Sequence, residues 1–187
     1  MQKFTTYFIL AFIIKSCLDA QTAFDYFPGV LQKDLKKVCG KEFLLEEVNT
    51  TNAIAYEIYL GKFYSVSGNT PMLGTKYIYV GRVKTCRAGG CSIKTSYNSN
   101  DDSEFFDYYL LFDSNGVLQY IKIYNYQASH GQEITSKNWL KQFQGYNGDS
   151  DLVTGKNIDA ISGATISVGA ISFDIEHKTN LLKQIIN

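Results

Sequence analysis

The chain has 187 residues, 45% hydrophobic, 14% aromatic and 19% charged, enough apolar content for one domain with a real core and too much for a disordered chain. Eighteen Lys and Arg balance eighteen Asp and Glu, and Arg82 and Arg87 are the only arginines, which excludes a nucleic-acid binder driven by bulk positive charge. The two histidines, His130 and His177, leave little material for a His-rich metal centre.

Residues 1–20 read as a secretory signal. Lys3 starts it, residues 7–14 (YFILAFII) form an apolar run far short of the roughly 20 residues of a membrane span, and Ala20 offers a small residue before the cut. A lipoprotein reading would place a lipid on Cys17, but Lys15 two positions earlier spoils the motif. Export leaves Cys39, Cys86 and Cys91, an odd number that permits at most one bridge.

Pro28-Gly29 opens a predicted helix with Val30, Leu31, Leu35 and Val38 on one face and Gly40 as its stop. Residues 42–48 and 53–60 read as strands separated by a polar turn that carries an Asn49-Thr50-Thr51 sequon. A loop with Gly68, Pro71 and Gly74 follows, then a strand over 76–84. Residues 98–104 (NSNDDSE) read as a solvated loop without the carboxylate spacing of a calcium site. Residues 105–112 and 117–124 form the clearest strand pair, joined by the turn Asp113-Ser114-Asn115-Gly116. A short helix over 136–143 and a polar loop over 145–157 precede a helical segment from Gly163 to the end, with Leu181, Leu182, Ile185 and Ile186 on its apolar face. Strands flanked by helices predict an α+β domain with an antiparallel-rich sheet.

The segment with chemistry in it is Asp159-Ala160-Ile161-Ser162-Gly163-Ala164-Thr165-Ile166-Ser167. Ser162 is a natural N-cap, Gly163 permits close backbone approach, Ala164 leaves space, and Thr165 presents a hydroxyl at a helix start. Exposed N–H groups and the helix dipole favour an anion there, phosphate above all. The residues alone point to a hydroxyl beside a phosphate site; an ordinary capped helix is the competing reading.

The string Asp159-x-x-Ser162-Gly163-Ala164-Thr165 resembles the flavinylation motif of the FMN-binding domain family, which includes the C subunit of the sodium-pumping NADH:quinone reductase and the G subunit of the Rnf complex. Asn138-Trp139-Leu140-Lys141-Gln142-Phe143 resembles the segment that precedes the motif in that family, and the likeness covers residues 76–187. It implies FMN as cofactor, joined by a phosphoester to Thr165 by a flavin transferase that takes it from FAD. It also implies that Ser162, Gly163 and Ala164 shape the loop and hold the phosphate, and that Asp159 orients it or serves transferase recognition. Where many members carry a Glu-Thr-Pro-Gly-like loop, this chain has Ala128-Ser129-His130-Gly131-Gln132-Glu133, so His130 and Gly131 are expected to line the flavin site. Trp139 is read as a core residue, with a place against the flavin ring as the alternative.

Cys86 and Cys91 flank a Gly-rich turn (CRAGGC) that can close a disulfide; a catalytic dithiol is the alternative, and Cys39 reads as a buried residue of the first helix. The expected organisation is a signal over 1–20, an N-terminal extension over 21–75 packed on the domain, and an FMN-binding domain over 76–187. The expected function is an exported electron carrier, periplasmic or on the outer side of the membrane. Its partners would be a flavin transferase, donor and acceptor redox proteins, and a membrane complex. Noncovalent FMN binding, a Cys86/Cys91 oxidoreductase, and a non-redox interaction domain stand as alternatives.

Overall fold

A computed structural model describes residues 24–40, 42–49, 60–68, 74–87 and 103–186. The expected signal over 1–20, the strand over 53–59, the loop over 98–102 and Cys91 lie outside the described residues, as does the side chain of Cys86, so the disulfide lies outside them too.

Helix α1 (Gly29–Val38) starts where Pro28, at φ −63° and ψ 149°, is still extended. It stops before Gly40 at φ +84°, a left-handed position that suits glycine. Among the described residues five strands follow: β1 (Phe43–Glu47), β2 (Gly61–Gly68), β3 (Tyr77–Arg87), β4 (Ser103–Phe112) and β5 (Leu118–Tyr126). They form one antiparallel meander in the order β1-β2-β3-β4-β5. The β4–β5 turn is closed by the Asp113 carboxylate, which accepts from the N–H of Asn115 at 2.8 Å and of Val117 at 3.0 Å, with Gly116 at φ +74°. Beyond β5 come a 3₁₀ turn (Gln132–Thr135), the short helix α2 (Lys137–Leu140) with a 3₁₀ extension (Lys141–Phe143), and the long helix α3 (Thr165–Ile186). The architecture is α+β, as the strand and helix pattern predicts. Among the described residues no helix is long and apolar enough to cross a membrane.

Strand alternation divides the sheet into two faces. Phe63, Tyr79, Val83, Tyr108, Leu110 and Ile121 point to the side covered by α2 and α3, where Val168, Ile171, Ile175 and Leu182 meet them. Val66, Ile78, Val80, Tyr109 and Leu111 point to the side covered by α1, against Leu31, Leu35 and Cys39. The buried charges are paired, as burial requires. On the α3 side the Tyr108 hydroxyl donates to the Asp174 carboxylate, and Lys178, 5% exposed, lies 3.5 Å from the same carboxylate. On the α1 side Arg82 forks onto Asp107 directly across the strands at 2.6 and 3.1 Å, and Asn125 donates to Asp107 at 2.7 Å.

Strand β2 corrects the sequence reading, which passes from a strand ending at Leu60 into a loop. Its flanking glycines and interspersed serines look like turn material. Gly61 is a packing position, however, paired across the ladder with Gly81. A Cβ on Gly61 would lie 2.1 Å from the Tyr79 hydroxyl, and one on Gly81 would lie 2.5 Å from the same ring. The two bare positions make the bed on which the buried Tyr79 lies. The sheet also runs across the expected boundary at residue 75, since Ser65 to Gly61 pair with Tyr77 to Gly81.

Candidate functional site

The approach to α3 is held by its backbone. The Trp139 indole Nε1–H donates to the Asp159 carbonyl at 2.9 Å, and the Asp159 N–H donates to the Gln142 side-chain carbonyl at 2.7 Å. Trp139 packs edge-to-face on Phe143 with centroids 5.2 Å apart. Its place is therefore at the half-buried edge of the core, in a wall that fixes the loop.

A tight turn follows. The Ala164 N–H donates to the Ile161 carbonyl at 3.1 Å, with Ser162 and Gly163 as the central residues and Gly163 at φ +80°. A positive φ at the third position demands glycine or a rare substitute. Ala164 then accepts the first helical bond, from the Val168 N–H at 2.9 Å, and Thr165 is the first residue of α3. This corrects the expectation that Ser162 caps the helix: Ser162 is exposed in the turn, and the cap position is Ala164, whose methyl group accepts nothing. The first-turn N–H groups of α3 lack intrahelical acceptors and stand with the positive end of the helix dipole.

At that helix end lies a cavity of about 290 Å³, lined by Thr85 of β3, Glu104 of β4, His130 and the run Gly163 to Ser167. Tyr126 ties its parts together. Its hydroxyl donates to the His130 carbonyl at 2.5 Å and lies 3.0 Å from Ser167 Oγ, while its ring stacks on Phe106 with centroids 5.6 Å apart. Burial pushes the Tyr126 hydroxyl above its ordinary range, so it stays protonated at neutral pH. The Glu104 carboxylate accepts from the Ser129 hydroxyl and from the Ser129 N–H at 3.0 Å, and these bonds hold it below the usual carboxylate range. Gly131, at φ +87°, packs against the helix start: a Cβ there would meet Ser167 Oγ and Tyr126 Oη at 3.0 Å and Ala164 Cβ at 3.2 Å.

The structure thus brings Gly163, Ala164, Thr165 and His130 to one cavity, with Gly131 against its inner side. Asp159 and Ser162 are not among the lining residues. Cys39 is buried against the other face of the sheet, where burial pushes its thiol up. Thr85, Glu104 and Ser167 were missed as site residues. Thr85 lies one residue beyond the strand expected over 76–84, where the β3–β4 register shifts between Lys84 and Arg87, so alternation in the sequence does not single it out.

The donor set fits a phosphate-bearing cofactor: helix N–H groups and a hydroxyl at one end, and at the cavity wall a Thr85 hydroxyl oxygen that is buried without a partner among the described residues. Among the described residues no group of His, Cys, Asp and Glu could hold a metal ion. A five-stranded antiparallel sheet with a phosphate-competent helix start on one face defines a cofactor-binding α+β domain. The family model for the FMN-binding domain matches residues 61–172, more than half of the chain, and the protein belongs to that family. FMN is its cofactor. The match begins with β2, fifteen residues before the boundary expected from sequence, and ends within α3. No curated protein matches the chain.

Proposed function

We propose that this protein is an exported electron-transfer flavoprotein that carries FMN covalently on Thr165. The observation that carries the reading is the position of Thr165: exposed, first in α3, on the rim of the cavity and beside the unsatisfied N–H groups of the helix start. A phosphate joined to its hydroxyl would sit where those groups favour an anion. Bound FMN supplies one- and two-electron redox chemistry, and the protein supplies its placement and surroundings.

A threonine hydroxyl is a poor nucleophile by itself, so in this reading the activating base comes from a flavin transferase. With FAD as donor, the Thr165 oxygen forms the new bond to the FMN phosphorus, the pyrophosphate bond breaks, AMP leaves, and the hydroxyl proton goes to the transferase's base. The turn at Ser162-Gly163 and the clamp of Trp139 and Gln142 on Asp159 present the threonine in one conformation for that enzyme. Export is supported by the apolar run at residues 7–14 followed by Ala20, and a tether keeps the cofactor where it cannot be resupplied.

Intact mass of the protein, co-produced with a flavin transferase, tests this directly. The wild type should gain one FMN less water and Thr165→Val should not. A gain in both, or in neither, would overturn the tether on Thr165.

A further inference from the structure

Four buried side-chain oxygens lack a partner among the described residues: those of Thr75, Thr85, Tyr124 and Ser172. Three lie away from the cofactor cavity. Ser172 is inside α3, Tyr124 packs on the α1 side, and Thr75 lines a separate cavity with Cys39. Thr85 is the one that lines the cavity holding Thr165.

A buried hydroxyl with no hydrogen bond is destabilising, and native structures rarely keep one without a reason. A strand position needs no hydroxyl: valine has the same shape and an equal preference for β structure. Thr85 sits on the α3 face with Tyr79, Gly81 and Val83, at the end of β3 that extends beyond the apolar core. Its oxygen is unpaired among the described residues, and the residue itself lines the cavity at the start of α3.

We propose that Thr85 is an FMN-binding residue, its hydroxyl completing its hydrogen bonding on the cofactor. This rests on the reading that FMN occupies the cavity at the start of α3. FMN carries acceptors and donors on its phosphate, ribityl chain and ring, and a hydroxyl serves either kind. Thr85 contributes the far wall of the site and Thr165 the rim, so the cofactor is held between β3 and α3 and not by the motif loop alone.

The test uses protein made without a transferase and free FMN at about 1 mM, read as the rise in Tm and as a titrated Kd. Thr85→Val should leave the Tm without FMN unchanged or higher, because an unpaired hydroxyl is removed. It should weaken FMN binding about tenfold, and Thr85→Ser should restore it. A Thr85→Val protein that binds FMN within twofold of wild type, or that loses stability without FMN, would overturn the proposal. Thr165→Tyr, which fills the cavity from an exposed position, separates this from the reading beneath it. Loss of binding there with no effect of Thr85→Val would refute Thr85 alone. Undiminished binding in both, or no FMN response in the wild type, would refute the cavity as well.

Discussion

Asp34 holds α1 to the sheet, and its replacement by Asn gives a stability change whose size and pH window follow from the geometry. The carboxylate, 13% exposed, accepts from the Tyr109 hydroxyl at 2.6 Å and from Lys122 and Lys37 Nζ at 2.8 and 3.3 Å. Burial alone would raise its pKa, but the bonds from Lys122 and Tyr109 and the Lys122 charge outweigh it and bring the value from 3.8 down to about 2. That difference corresponds to about 2 kcal/mol of stability. Because the folded value is the lower one, the contribution is complete above the unfolded value near 3.8 and drains away as pH falls toward 2. Urea unfolding followed by circular dichroism should find Asp34→Asn less stable by about 2 kcal/mol at pH 7, with the gap shrinking below pH 4 and nearly closed at pH 2. Equal stability at pH 7, or a gap unchanged at pH 2, would refute the assignment.

Gly131→Ala forces a side chain into a left-handed φ and against Ser167 and Ala164, so it should cost about 1–3 kcal/mol and slow FMN attachment, read by Tm and by the rate of mass gain. Trp139→Phe removes the bond to the Asp159 carbonyl. A loss of about 1 kcal/mol, or about 2–4 °C in Tm, should accompany a larger fall in attachment rate, because the loop is no longer fixed. Leu35→Ala opens a hole under α1 and should cost about 2–5 kcal/mol in urea unfolding, yet leave FMN attachment intact at temperatures where the protein stays folded.

The sheet was largely legible where both of its physical signals coincide. Residues 105–124 combine alternating apolar side chains with an Asp-Ser-Asn-Gly turn, and the structure has β4, the turn and β5 there. Helix α1 was legible from Leu31, Leu35 and its Pro and Gly boundaries. Strand β2 was not, because Gly61 reads as a breaker until Tyr79 is seen lying across it, and that contact spans eighteen residues of sequence. Ser162 failed as a cap for a related reason: residue type favours the role, but the turn closed by Ile161 and Ala164 uses Ser162 two positions too early. At the site, the motif gave the rim of the cavity, since Gly163, Ala164 and Thr165 are contiguous. Its walls come from Thr85 and Glu104, which the pairing of β3 with β4 brings near the helix start, and from His130, the loop residue expected at the flavin site, which Tyr126 ties to the helix start.

If the protein carries electrons as proposed, the division of the sheet into two faces makes it one-sided for that exchange. Helix α1 and the Asp34 latch occupy one face, and the cofactor cavity opens on the other. A redox protein seated on α1 would face the flavin across a helix and a sheet, roughly 20 Å of packed protein. One arriving at the start of α3 would meet Ile166, 51% exposed, beside the cavity itself, with Phe173, 70% exposed, further along the same helix. On the function proposed above, the back of the sheet would be free to drift in surface chemistry without touching the electron path, whereas the rim around Thr165 would have to suit a transferase and each redox partner in turn.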